Sequence, residues 1–472
     1  MSHGRTFRHG IHPEEHKEAT AALAVERMPF VERYILPLSQ HAGAPSRPLV
    51  EVGQQVRRGQ AIAEAVGFIS TTLHASVDGQ VVAIAPRPHP SGKLVPAIEI
   101  VADRSSPQRL AAAHELGGAL DPFELSHERF VAELQLAGLV GLGGAAFPTH
   151  VKYRVPEGGR IERLLVNGCE CEPFLTSDHR LMLERTADVV RGAAIAAHHL
   201  GAKLVVFGVE HNKPDAIAAL ERAVAAATAA TSAGAQPSGR PEMRVVGLAV
   251  KYPQGAEKML IRAVWGEEVP SGKLPLDLGI VVNNVATMAA IADWFDLRRP
   301  LVERLVTVAG PGVRRPANLL VPLGTPVRAV LEHCGGLDEA TREVVMGGPM
   351  MGTPLASLDV PVIKGTSGLL AFTDAEARLP AEYSCIKCGR CVEACPQFLN
   401  PSRLGRLARA GRFDELVGYH ATDCVECGSC SFACPSGIPI VQLIRVAKGA
   451  LRERAALQQA AAMQPGGSPS KS

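Results

Sequence analysis

The sequence predicts a multidomain α/β protein. Three observations lead to this prediction: short β-type runs broken by glycine turns near the N-terminus, alternating Ala-rich helices and apolar strands in the middle, and a cysteine-rich C-terminal part. At 472 residues the chain is long enough for several separate hydrophobic cores. We therefore expect an N-terminal barrel-sandwich β domain, a doubly wound α/β domain, a small β-grasp module and a C-terminal α-helical domain that carries the cysteines.

The expected domain boundaries follow changes in pattern along the chain. They are a lead segment at 1–28, the barrel-sandwich domain at 29–105, a linker at 106–130, the α/β domain at 131–298, the β-grasp module at 299–356, a second linker at 357–380, the cysteine-rich domain at 381–446, and a helix end with a disordered tail at 447–472. Lysine and arginine are dispersed, the net charge is +2 and aromatics are only 4%, so the composition argues against nucleic-acid binding. The N-terminus lacks the apolar core of a signal peptide, and no window of roughly eighteen residues is free of charge. We therefore expect neither export nor a membrane span.

The region 36–101 reads as short strands with glycine turns. The turn from Gly53 to Gly59 resembles that of lipoyl and biotinyl carrier domains, which attach their cofactor to a lysine. No lysine occurs between Lys17 and Lys93. The sequence therefore predicts a docking or scaffolding barrel rather than a cofactor carrier.

A glycine-rich turn opens the α/β domain. It contains Gly141, Gly143, Gly144 and Phe147, and Lys152 follows shortly after it. Glycines let backbone N–H groups approach a phosphate or a flat ring, and an ammonium group can neutralise the phosphate. The Rossmann dinucleotide spacing is absent, so a plain tight turn is the alternative.

Polar residues then follow two apolar strands. The first strand runs into Asn167, Glu170 and Glu172, and a later one runs into Asn283 and Asn284. The carboxyl ends of strands are where α/β sheets bind ligands, although solvated acids and a simple helix cap are the alternatives. Between these strands, a turn with Gly255 and Glu257 opens a helix. Three further cysteines lack the paired spacing of metal ligands, so we do not expect them to bind a cluster. They are Cys169, Cys171 and Cys334.

Eight cysteines form two copies of the spacing Cys-x-x-Cys-x-x-Cys-x-x-x-Cys-Pro, which is typical of two-cluster ferredoxins. In that pattern the fourth cysteine of each copy binds the other copy's cluster. A zinc site or disulfides are the alternatives. The expected ligands of the first [4Fe-4S] cluster are Cys385, Cys388, Cys391 and Cys434. Those of the second are Cys424, Cys427, Cys430 and Cys395. Such thiolates need a reducing compartment.

The α/β motifs together resemble the NADH-oxidising flavoprotein subunit of respiratory complex I, over about residues 138–291. The resemblance implies that FMN is bound by Gly141, Gly143, Gly144, Lys152, Asn283 and Asn284, with Asn167 and Gly255 also at the site. It implies that Glu170, Glu172 and Glu257 orient nicotinamide and ribose, and that Phe147 stacks on the nucleotide or packs in the core. The chain departs from that family at Leu142, Ala146, Cys169, Cys171, Ala256 and Ala286. Alanine at 146 is compatible with binding if its φ is negative.

The β-grasp module is similar to the SLBB module, and we expect it to act as a spacer. The chain as a whole resembles the RnfC subunits of the Rnf ion-translocating oxidoreductases, because it has a barrel, a flavin-type domain, a β-grasp module and two cluster motifs in that order. That resemblance implies a peripheral subunit on the cytoplasmic face of the cell inner membrane. It would exchange electrons between NADH and membrane-embedded or peripheral Rnf subunits, or ferredoxin reached through them. A cobalamin reductase and a flavin-free electron wire are the alternatives. The predicted amphipathic helix from Ile440 to Leu457 carries four basic residues suited to a partner or anionic headgroups.

Overall fold

The computed structural model describes residues 5–110, 118, 120–155, 158–232, 241–378 and 380–462. It confirms the multidomain α/β class. The tail expected to be disordered, at 463–472, lies outside the described residues, as does part of the first linker. No helix within these ranges is long and apolar enough to cross a membrane.

The N-terminal β domain consists of two small antiparallel sheets packed face to face. After β1 (Val25–Arg27), its strands are β2 (Arg33–Pro37), β3 (Arg47–Pro48), β4 (Gln55–Val56), β5 (Ala61–Glu64), β6 (Leu73–His74), β7 (Gly79–Pro88) and β8 (Leu94–Ala102). The sheet orders are β2-β8-β7-β4 and β3-β5-β6. Tyr34, Ile62 and Ile98 are fully buried in the core that joins this domain to the next one.

The α/β domain is built on a four-stranded parallel sheet. Its elements are α1 (His127–Leu136), α2 (Thr149–Tyr153), β9 (Arg163–Asn167), α3 (Ser177–Glu184), α4 (Thr186–Leu200), β10 (Leu204–Glu210), α5 (Pro214–Ser232), β11 (Glu242–Leu248), α6 (Glu257–Trp265), β12 (Ile280–Asn284) and α7 (Val285–Leu297). The sheet order is β11-β10-β9-β12. Strand order therefore reverses beside β9, which leaves a crevice at the carboxyl ends of β9 and β12.

The third part has a six-stranded sheet, in the order β1-β14-β13-β17-β15-β16. Its own elements are β13 (Glu303–Ala309), β14 (Ala317–Pro322), α8 (Val327–His333), β15 (Thr341–Met346), β16 (Thr353–Pro354), β17 (Gly368–Thr373) and α9 (Asp374–Ala377). Two predicted boundaries differ from this arrangement. The interval 357–380 is not only a linker, because β17 is an apolar inner strand, and the lead segment 1–28 supplies the edge strand β1.

The C-terminal domain is helical. It contains α10 (Arg390–Glu393), α11 (Pro401–Arg409), α12 (Glu415–Gly418), α13 (Ser429–Phe432) and α14 (Ile440–Ala462). Leu404 on α11 and Ile444 on α14 pack in its core. The four basic residues predicted on α14 form ion pairs within the chain, and Arg452 and Arg454 remain exposed. Glu426 pairs with Arg445, Lys448 and Arg452, and Asp414 pairs with Arg454.

Candidate functional site

The glycine-rich loop lies against the carboxyl ends of β9 and β12. A Cβ atom on Gly143 would lie 3.5 Å from the Asn284 side chain, which ends β12. The Asn167 side chain, at the end of β9, donates a hydrogen bond of 2.8 Å to the carbonyl of Gly255. The loop and these three residues therefore bound one space. We call this space, with loop residues 141–147, Asn167, Gly255 and Asn284 around it, the strand-end crevice.

The glycine-rich loop is anchored by hydrogen bonds at Leu142 and is exposed at its tip. Leu142 donates its N–H to the Thr287 hydroxyl at 3.0 Å, and its carbonyl accepts from the buried guanidinium of Arg304 at 2.9 Å. Gly143 and Gly144 at the tip are exposed, and Gly144 has φ of 107°, which side chains disfavour. Exposed backbone on an anchored glycine loop fits the phosphate and ring of a flavin nucleotide. Phe147 is half-buried beside the tip.

Ala146 does not meet the condition of a negative φ under which alanine is compatible with binding. Its φ is +48°, in the left-handed region, where an alanine costs roughly 1–2 kcal/mol. The residue is buried, and its Cβ lies 3.2 Å from the point that a Cβ on Gly365 would occupy. The methyl group therefore packs against the segment before β17 rather than into the crevice opening.

Lys152 and Glu257 form an ion pair at the crevice, with 3.1 Å between Nζ and Oε2. The same ammonium donates to the carbonyl of Val282 on β12 at 3.1 Å. About a third of each charged side chain remains exposed. Both charges are therefore accessible to a bound nucleotide, as the sequence predicts.

The carboxylates of Glu170 and Glu172 accept hydrogen bonds from protein groups. The Glu170 carboxylate accepts hydrogen bonds from the Ser177 hydroxyl and from the first N–H groups of α3. The Glu172 carboxylate accepts from the N–H of Met350, near the β-grasp sheet, at 2.9 Å. Burial raises the pKa of Glu172 to about 7. Both acids act on protein groups, so their predicted contact with nicotinamide gains no support from this geometry.

The two asparagines at the end of β12 also have different surroundings. Asn283 is buried and donates to the Tyr153 hydroxyl at 2.9 Å, behind the crevice wall. Asn284 caps α7 by accepting from the N–H of Ala286, and donates to the carboxylate of Asp178. Burial, with the neighbouring Glu170, raises the pKa of Asp178 to about 7. Asn284 therefore lines the crevice, whereas Asn283 supports it.

The cysteine-rich domain brings together the four thiols of one crossed set and three thiols of the other. Cys395, Cys424, Cys427 and Cys430 line one small cavity. In the other set, Cys391 lies close enough to Cys385 and Cys434 for their charges to affect its pKa. All eleven cysteines are free of disulfides. Among the described residues, no three His, Cys, Asp or Glu side chains are grouped so that they could hold a single metal ion.

The second cysteine motif packs directly on the flavin-type domain. The Tyr252 hydroxyl donates to the carbonyl of Cys427 at 2.7 Å, and both residues are buried with Ile11 and Ala394. On the crevice side, the N–H of Gly255 donates to the Cys171 sulfur at 3.3 Å, and Cys171 packs against the same cluster. Two hydrogen bonds and one set of packed side chains therefore connect the crevice to the second cysteine motif.

The lead segment braces the acidic strand end. Lys17 is buried, and its ammonium donates to the backbone carbonyls of Glu170, Glu172 and Leu175. Burial lowers the pKa of Lys17. A cation from outside the α/β domain thus fixes the path of the loop that follows β9.

Comparisons with known proteins agree with this architecture. Family models match the chain as the RnfC barrel sandwich hybrid domain at 5–105, the Nuo51 FMN-binding domain at 134–293, the SLBB domain at 305–354 and a 4Fe-4S dicluster domain at 384–438. A relative from Clostridium ljungdahlii, which belongs to the proton-translocating ferredoxin:NAD(+) oxidoreductase complex, is 41% identical over 94% of this chain and 93% of its own length. The chain belongs to the RnfC family. Its relative in Acetobacterium woodii, from the Na(+)-translocating complex, is 40% identical over 95% of this chain and 97% of its own.

A further RnfC-family relative belongs to the ion-translocating oxidoreductase complex of Rhodobacter capsulatus. It is 42% identical over 95% of this chain and 84% of its own length. Among solved structures, an NAD+-reducing [NiFe]-hydrogenase in the H2-reduced state aligns with a TM-score of 0.50 and 22% identity, over 74% of this chain and 64% of that one. That likeness concerns the fold alone.

Sequence reasoning missed four residues that shape the site of this RnfC-family chain. They are Lys17, Asp178, Tyr252 and Arg304. Lys17 and Arg304 come from other domains, so no local pattern marks them. Tyr252 directly precedes the predicted Gly255 turn, and Asp178 opens α3, so a search of helix starts and turns beside predicted ligands would have found both.

Proposed function

We propose that this chain is a peripheral subunit of a membrane-bound, ion-translocating electron-transfer complex. It passes electrons between NADH and further redox subunits or ferredoxin, through FMN and two [4Fe-4S] clusters. The observation that supports this proposal is the junction at Tyr252 and Cys427, which connects the second cysteine motif to the segment leading into Gly255.

FMN supplies the conversion between a hydride from NADH and single electrons. The backbone at Gly143 and Gly144 and the Asn284 side chain would hold the flavin nucleotide, with Lys152 neutralising its phosphate. Glu257 is the acid best placed to orient the nicotinamide nucleotide, because its carboxylate is still partly exposed at the crevice. Arg304 and Lys17 hold the surrounding backbone in place.

The eight cysteines would hold the clusters in the crossed pattern. Cys395 completes the second site and Cys434 the first, so each motif supplies a ligand to its neighbour's site. The second site is adjacent to Tyr252 and Cys171, whereas Cys385 and Cys388 of the first site are exposed. Electrons entering from the flavin would therefore reach the second site before the first.

Membership in a complex rests on the relatives, which are named as subunits of ion-translocating ferredoxin:NAD(+) oxidoreductase complexes. A position on the cytoplasmic face of the inner membrane agrees with eight reduced thiolates. None of the relatives reported above is a cobalamin reductase, and the match to an FMN-binding domain favours a flavin-dependent chain over a flavin-free electron wire.

Anaerobic reconstitution tests the proposal. The purified full-length chain is loaded with iron, sulfide and FMN, and NADH is then added while flavin absorbance is recorded. We expect one FMN per chain and bleaching of the flavin by NADH. Stoichiometric clusters without any flavin binding would overturn the proposal.

A further inference from the structure

The two cysteine motifs share one backbone conformation. Lys387 and Glu426 occupy equivalent places, with φ of 58° and 57°, and the glycines two residues later have the same φ and ψ within one degree. A four-residue helix follows in each copy. We call residues 382–388 the open loop and residues 421–427 the covered loop. Because the two loops have the same backbone conformation, a difference in their burial or ion pairing comes from the residues that surround each loop.

The covered loop is enclosed by this chain. Cys427 is buried against Tyr252 and Ile11, and Val425 packs on the same cluster. The point that a Cβ on Gly428 would occupy lies 2.9 Å from the carbonyl oxygen of Met350. Ile11, Tyr252 and Met350, from three other parts of the chain, thus cover Cys427 and the glycine that follows it.

The charge on the covered loop is also matched within the chain. Glu426 is met by Lys448 at 2.7 Å and by two arginines of α14 at 3.4 and 3.6 Å. Asp423 accepts hydrogen bonds from Ser271 and Gly272 at the other end of the loop.

The open loop has the same chemistry without such a cover. Every residue from 381 to 388 is exposed, and Tyr383 and Ile386 expose 67% and 68% of their surface. Nothing lies within 4 Å of the point that a Cβ on Gly389 would occupy, in contrast to Gly428. Exposed apolar side chains beside cluster ligands mark an interaction surface.

The charges around the open loop indicate what covers it. Lys387 stands where the covered loop has Glu426, and both Lys387 and Arg390 are exposed. Glu382 is paired with Arg409, which leaves Glu393 as the nearby exposed acid on α10. Since the acid of the covered loop is met by bases, a partner of the open loop would present carboxylates to Lys387 and Arg390.

We propose that the open loop is the docking surface for a one-electron redox subunit of the same complex, whose contact face has an apolar centre with a carboxylate rim. This proposal rests on the proposed function. In the step it supports, one electron crosses from the first cluster to the partner's oxidised centre, or in the reverse direction. The donor is oxidised by one electron and the acceptor reduced by one, and no bond forms or breaks.

The test uses the complete complex, purified in mild detergent through a tag on this chain. The variants are Ile386→Glu and Lys387→Glu, and the matched control is Val446→Glu, because Val446 on α14 is also 68% exposed. The readouts are the recovery of the other subunits and the rate at which NADH reduces their redox centres through this chain. EPR of both clusters verifies loading.

We expect both open-loop variants to lower recovery or the electron-transfer rate about tenfold, as interface anchors do. Lys387→Glu should also remove the salt dependence of the rate, and Val446→Glu should behave as wild type. If Ile386→Glu loses the first cluster, Tyr383→Glu, which leaves the ligand spacing intact, decides instead. Wild-type recovery and rate in the loaded variants, or a defect confined to Val446→Glu, would overturn the proposal. Recovery of the other subunits depends neither on NADH nor on the flavin, so failure of NADH oxidation remains a separate result.

Discussion

The Tyr252 hydroxyl donates a hydrogen bond of 2.7 Å to the backbone carbonyl of Cys427, across the boundary between the flavin-type domain and the cluster domain. Tyr252 is buried. Gly255 and Glu257, at the crevice, follow it closely in the sequence. One residue therefore connects the loop that we assign to nucleotide binding with a loop that we assign to a cluster.

Tyr252→Phe tests this junction. Loss of the hydroxyl leaves the carbonyl of buried Cys427 without its hydrogen-bond donor, which costs about 1–3 kcal/mol. We expect a lower unfolding temperature and slower reduction of the second cluster, while NADH bleaches the flavin at the wild-type rate. Rapid-mixing absorbance separates these steps. Tyr383→Phe is the control, since Tyr383 is exposed, and an identical profile for both variants would contradict a role for the junction.

Cys395→Ser tests the crossed cluster ligation. Cys395 shares a cavity with Cys424, Cys427 and Cys430, so the second cluster should be lost or converted while the first persists. We expect iron content to fall to about half and one EPR signal to disappear. Cys434→Ser should remove the other signal. The crossed assignment fails if Cys395→Ser instead removes the signal that depends on Cys385.

Lys17→Met tests the brace on the strand-end loop. The substitution leaves three backbone carbonyls without their buried donor, so we expect a loss of about 1–3 kcal/mol and weaker FMN retention. Equilibrium dialysis of FMN and thermal unfolding measure the two effects. Lys93→Met, at an exposed lysine, should change neither. Unchanged FMN affinity in Lys17→Met would show that the loop keeps its path without the brace.

The pH dependence of stability tests the burial of Glu172. Burial raises its pKa to about 7, above the ordinary value of 4.5, so the folded state binds the proton more tightly than the unfolded state does. This contribution is full below about pH 4.5 and is lost as pH rises through about 7. Between these values, wild-type unfolding temperature should fall more steeply than that of Glu172→Gln. Equal slopes would show that the carboxylate is not buried.

Local sequence patterns identified the parts of the site that lie within short stretches. The glycine loop, the strand ends at Asn167 and Asn284, and the two cysteine motifs are all visible in the sequence. The structure brings the loop to the strand ends and brings together the four thiols expected at the second cluster. Spacing could not show which way a side chain turns. Asn283 and Asn284 are adjacent, yet one is buried on Tyr153 and the other lines the crevice.

Contacts between domains account for most of what the sequence did not reveal. Lys17 and Arg304 reach the site from the lead segment and from β13, and β1 joins a sheet nearly three hundred residues away in sequence. The φ of Ala146 likewise depends on packing against Gly365. Such relationships arise from tertiary packing, which no single-segment pattern encodes.

The central claim is that electrons pass between NADH and the clusters only through a flavin in the strand-end crevice. The direct measurement is an anaerobic titration with NADH of cluster-loaded protein, with and without FMN, followed by EPR. We predict reduced-cluster signals only in the FMN-loaded sample. Cluster reduction without FMN, or oxidised clusters alongside fully bleached flavin, would contradict the claim.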